Sequence, residues 1–128
     1  MELITALFVE HFEMRQADGG AALLDLQGVY FSQAAPGPFP VIVNPHLLVL
    51  VRCPELHQGL ATLEVRFMRD GEQIARNLQA LQVEPGKFGY NLVQAELEFH
   101  EPGTIEAHCR IDQGDPTIVP LAVNEPAD

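Results

Sequence analysis

The chain has 128 residues, 47% hydrophobic and 20% charged, with 18 acidic against 7 basic side chains and a formal net charge of −11. Such a chain fits one domain, buries roughly two-thirds of its unfolded surface and needs neither disulfide nor metal to fold, so disorder is not expected. The acidic balance, with basic residues that never form a run, argues against nucleic acid and anionic lipid as partners.

The N-terminal stretch MELITALFVEHFEMR begins apolar but has no basic leader and no small-residue cleavage site, and Glu2, Glu10 and Glu13 interrupt it. It reads as neither signal peptide nor membrane span, which places the protein in the cytoplasm with Cys53 and Cys109 as thiols. Residues 4–15 fit two templates. One is an amphipathic helix carrying Leu7, Phe8, His11, Phe12 and Arg15 at helical spacing. The other is a strand with Phe8, Phe12 and Met14 on one face, and the following ADGG and AALLDLQGVYFSQ favour this hairpin reading. AAPGPFP, with three prolines in seven residues, is an irregular crossover.

NPHLLVLVRCPELH brings His46, Cys53 and His57, the residue types of zinc and copper sites. Leu47 to Val51 show no alternation, as expected of a central strand covered on both faces. On such a strand His46 and Cys53 stand about 23 Å apart and on opposite faces, so they cannot share one ion. Cys53 and His57 stay open as a pair because Pro54 bends the chain, yet no second paired motif completes four ligands.

Ala61, Leu63, Val65 and Phe67 alternate with Thr62, Glu64 and Arg66, a half-buried strand, and Asp70-Gly71 turns it into a partner over about residues 73–81. Glu84-Pro85-Gly86 marks another turn before KFGYNLVQ. Two further alternating segments, around Ala95, Leu97 and Phe99 and around Ile105, Ala107, Cys109 and Ile111, flank Glu101-Pro102-Gly103. They read as a hairpin from about Asn91 to Asp112 closed by a type II turn, which makes His100 and His108 cross-strand neighbours and candidate metal ligands. Cys109 faces inward as an inert small hydrophobe. After DQGDP comes a last strand over 117–123, where Pro120 implies an edge or a bulge.

No segment is a capped helix of normal length. The expected fold is therefore all-β: one domain over 1–124, a two-layer antiparallel β-sandwich of seven or eight strands, immunoglobulin-like or similar, with 125–128 a disordered tail.

Signs of chemistry are few. Acidic residues cluster near turns but split between the two ends of a sandwich and lack an EF-hand pattern. Nucleophile elbows, phosphate-binding loops, H-E-x-x-H and dinucleotide fingerprints are absent. Glu64 with Glu96 or Glu98 falls on solvated faces, where nothing raises one pKa for acid–base work. No enzyme activity and no cofactor are expected.

ALFVEHFEMRQADGGAALLDLQGVYFSQ, the proline-rich crossover, the buried strand, RFMRDGEQIA and FHEPGTIEAHCRIDQGDPTIVPLAV follow one another over nearly the whole chain. This arrangement resembles a family of uncharacterised bacterial proteins of about this length, inferred to be small β-sandwiches, with the single Gly28 where that family often has Gly-Gly. The resemblance implies a fold and a bacterial origin but no activity. The expected function is a non-catalytic interaction or assembly module whose partner is another protein or a second copy, with Phe39, Phe88 and Tyr90 as candidate contact residues. The alternative is a sandwich that binds a small ligand or a metal through the histidine-bearing hairpin, or through Cys53 and His57.

Overall fold

The computed structural model describes residues 1–127, which form eleven strands and, apart from a three-residue 3-10 turn at Asp18–Gly20, no helix. The strands are β1 (Glu2–Gln16), β2 (Ala22–Val29), β3 (Ser32–Ala34), β4 (Val41–Val43), β5 (His46–Arg52), β6 (Leu60–Arg69), β7 (Glu72–Gln82), β8 (Phe88–Gln94), β9 (Leu97–Phe99), β10 (Gly103–Ile111) and β11 (Thr117–Asn124). They build a four-stranded sheet in the order β2-β1-β5-β8, a five-stranded sheet in the order β3-β11-β10-β6-β7, and a small β4-β9 pair. All pairings are antiparallel except β3 with β11. The fold is thus an all-β sandwich. It exceeds the expected strand number because β3, β4 and β9 have three residues each, too few to show a period.

Alternation builds the core. Leu63, Val65 and Phe67 of β6, Ile105, Ala107 and Cys109 of β10, and Leu121 and Val123 of β11 face Ala6 and Phe8 of β1 and Leu47, Val49 and Val51 of β5, all nearly inaccessible. Residues 4–15 belong to a strand, and ADGG closes the β1–β2 hairpin. The last three described residues, Glu125 to Ala127, follow β11 without regular structure, and Asp128 of the expected tail lies outside the described residues. Pro120 sits in the stretch of β11 that β3 leaves unpaired, where its missing N–H costs no ladder bond.

The turns divide into two kinds. Asp70 and Gly71, both at positive φ (50° and 80°), close the β6–β7 hairpin within one sheet. Both Glu-Pro-Gly triplets instead carry the chain between sheets: β7 to β8, and β9 to β10. The first forms the closed turn, with Lys87 N–H donating to Glu84 O at 3.0 Å and Gly86 at φ 83°. The second leads β9 away from β10, and this overturns the expected hairpin over 91–112. β9 pairs with β4, and β10 pairs with β6 and β11. A Pro-Gly turn reverses direction whether or not its flanking strands bond, so local chemistry alone could not decide the pairing.

Leu48 on β5 points away from the core set yet is only 1% exposed, as is Val9 of β1. Their cover is the β1–β2 hairpin. Ile4 and Met14 stand roughly 33 Å apart on a straight strand, but both line one surface groove. β1 therefore bends between them. The bend sits where pairing skips from Val9↔Val29 to His11↔Gln27. There Gly28 has φ 65°, and a Cβ would lie 2.7 Å from the Glu10 side chain. Beyond it Phe12 reaches Tyr90 of β8, ring centroids 5.6 Å apart and edge-on, although β5 separates β1 from β8 in the sheet. The hairpin lies across the outer face of its own sheet.

Candidate functional site

The fold-back leaves a groove of about 310 Å³ between the hairpin and β8, lined by Ile4, Met14, Leu23, Leu24, Leu50 and Tyr90, with Phe88 at its rim side. Phe88 is 71% exposed, Ile4 48%, Met14 46%, Leu23 37% and Tyr90 36%. No charged side chain lines it. Two of the three contact residues expected from the sequence, Phe88 and Tyr90, meet here. Phe39 does not, because it packs against the core. Ile4, Met14, Leu23 and Leu24 escape a sequence reading because they join only when β1 bends. The one signal is LLVLV, whose second apolar face demands a cover that alternating strands do not supply.

The histidine and cysteine candidates separate. His100 is exposed and lies 3.3 Å from Glu98, whereas His108 lies 3.2 Å from Glu106 and stands opposite Arg66 and Ile118 in the ladder. The two-histidine site fails with the hairpin that was to form it. Cys53 and His57 do come together, Sγ to Nδ1 at 3.8 Å. The lone pair of Nδ1, however, accepts the Gly59 N–H at 2.9 Å, so this imidazole nitrogen is not free to take a thiol proton. Cys53 is also fully buried. The arrangement is a sealed chain corner rather than an activated nucleophile. Burial pushes the Cys109 thiol up to about 12, which keeps it protonated and inert. Among the described residues no three His, Cys, Asp or Glu side chains converge as a metal site.

A second concavity, about 460 Å³, lies where β2 leaves β1 and β5 begins, and is lined by Glu10, Tyr30, Ser32, Gln33, Asn44 and His46 among others. Burial raises the Tyr30 phenol above its ordinary value, a backbone hydrogen bond from His46 opposes this, and the Glu10 charge adds to the rise. The phenol thus stays neutral, a donor or acceptor rather than a base. Glu64 cannot pair with Glu96 or Glu98 for acid–base work, because Arg76 and Arg110 occupy both its oxygens.

No helix among the described residues is long and apolar enough to cross a membrane. In comparison with known proteins, no family model matches the chain and no curated protein matches it.

Proposed function

We propose that the protein is a non-catalytic, cytoplasmic interaction module that seats apolar side chains of a protein partner in the groove beside β8. The groove carries the reading: five exposed apolar side chains converge there on a chain of formal net charge −11. Contiguous apolar patches of this kind mark interaction sites, whereas single exposed apolar residues do not. The connectivity supports the same reading. Strands β1-β5-β8 facing β11-β10-β6-β7 follow the chain order of an immunoglobulin-like sandwich, with β2, β3, β4 and β9 as insertions. Such sandwiches host many functions, so the site and not the fold bears the weight.

The test is crosslinking in the native host followed by capture, comparing the wild type with Phe88→Asp. Phe88 is mostly exposed, so the variant should melt within about 0.5 kcal/mol of the wild type. A partner captured by the wild type and lost in the variant is the expected result. An identical set of partners from both proteins would refute the groove as the site.

A further inference from the structure

We propose that β7 is a self-association edge, through which two copies pair antiparallel about Asn77 and join their five-stranded sheets into one. This is independent of the groove, which lies on the other sheet.

β7 is the outermost strand of its sheet and pairs with β6 alone. The Val83 N–H donates to Gly59 O at 2.9 Å, and the ladder continues in register from Leu60↔Gln82 to Phe67↔Ala75. Hydrogen-bonded pairs in an antiparallel ladder recur at every second residue. Ala75, Asn77, Gln79 and Leu81 therefore bond to β6, while the N–H and C=O groups of Arg76, Leu78, Ala80 and Gln82 point out of the open edge. Soluble proteins blunt such edges with proline, lysine, inward charges or bulges. Between Ala75 and Gln82 there is none of these. The only charge, Arg76, points to the outer face and is tied to Glu64. Leu78 is 54% exposed on this edge, with Leu60 at 55% and Ile74 at 38% nearby on the same sheet.

About Asn77 the paired stretch runs from Gln73 to Leu81 and takes in the irregularity at Ile74. Its nine residues span about 30 Å, and a sandwich side about 20 Å thick gives roughly 600 Å² per copy, or about 1,200 Å² in total, at the lower bound of a stable interface. The register follows from the bounds of the strand, because Asn77 is the midpoint of Glu72–Gln82 and an axis there pairs the most residues. Asn77 and its copy then form a non-hydrogen-bonded pair with Cα atoms about 4.5 Å apart. The same axis sets Leu78 opposite Arg76 of the second copy and bonds their outward backbone groups. Because each copy carries −11, their mutual repulsion predicts a dimer that tightens as salt is added.

Light scattering over a concentration series, repeated from about 0.01 M to about 1 M NaCl, reads the assembly. The expected result is a mass that doubles, at lower protein concentration in high salt, and that Phe88→Asp leaves unchanged. Leu78→Lys sets an added cation beside the second copy's Arg76. Leu78→Lys, which demands nothing of the backbone, should abolish the dimer while keeping the monomer's circular dichroism. Asn77→Cys should form an intermolecular disulfide under mild oxidation, since its Cα spacing permits one, whereas Leu78→Cys should not. The native cysteines are buried and stay silent. A monomer at every concentration and salt level, a dimer indifferent to Leu78→Lys, or crosslinking through Leu78→Cys in preference to Asn77→Cys would overturn the proposal.

Discussion

Glu64 sits on the outer face of the five-stranded sheet, where alternation places it, yet it is only 5% exposed. Arg76 covers it from β7, with Nε and Nη2 donating to Oε2 at 2.8 and 2.6 Å, and Arg110 covers it from β10, with Nε donating to Oε1 at 2.7 Å. Hydrogen bonding from Arg76 lowers the carboxyl pKa most, Arg110 lowers it further, and desolvation works against both. A carboxylate held below its unfolded value adds stability above that value, about 4.3 for Glu, and the contribution disappears as the pH falls through the folded value. Glu64→Gln should therefore melt below the wild type at neutral pH, and the gap should close as the pH drops below about 4. Thermal melts of both proteins across that range check it, and a gap constant into acid would show that the charge is not the cause. The face of Glu64 was legible in the alternation of Thr62, Glu64 and Arg66. Its burial was not, because the covering arginines lie 12 and 46 residues away in sequence.

The β1–β2 hairpin is the element on which the groove depends. Its fold-back is held by Phe12 against Tyr90, by Val9 and Leu48 beneath it, and by the left-handed backbone of Gly28 at the bend. Phe12→Ala should destabilise by about 1–2 kcal/mol, and a Phe12/Tyr90 double-mutant cycle in urea should return a coupling of about 0.5–1.5 kcal/mol. A coupling near zero would mean that the hairpin stands clear of the sheet in solution. Gly28→Val should do more, since it adds positive-φ strain to a clash with the Glu10 side chain. At this scale the sequence is legible wherever partners are adjacent: Asp70-Gly71 marks the β6–β7 hairpin and ADGG the β1–β2 hairpin. It misleads at Glu101-Pro102-Gly103, where β9 takes β4, more than fifty residues upstream, as its partner. Phe88 and Tyr90 could be named as contact residues because they are aromatic and near a turn. The groove they line could not, because it exists only once β1 bends at Gly28, and nothing local distinguishes that bend from a bulge.

Over the whole molecule the excess of negative charge competes with the ion pairs that are formed. Arg15, Arg52, Arg76, Lys87 and Arg110 each contact a carboxylate, so five of the seven basic side chains are already engaged, and most of the acidic side chains among the described residues have no Lys or Arg beside them. The pairs other than those of Glu64 are exposed, and exposed pairs contribute about 0–1 kcal/mol each. Screening weakens these pairs, but it also relieves repulsion among the unpaired carboxylates, which are more numerous. Added salt should therefore raise stability, by about 1 kcal/mol between about 0.01 M and 1 M NaCl, or some 2–6 °C in Tm for a chain of this size. Dimerisation through β7 would raise Tm with salt as well, because a ligand that binds only the folded state stabilises it, and that part depends on protein concentration. Calorimetry of Leu78→Lys, in which the edge is blocked, isolates the intramolecular part. A residual rise independent of concentration is the expected outcome; a fall would mean that the surface ion pairs contribute more than the net charge costs.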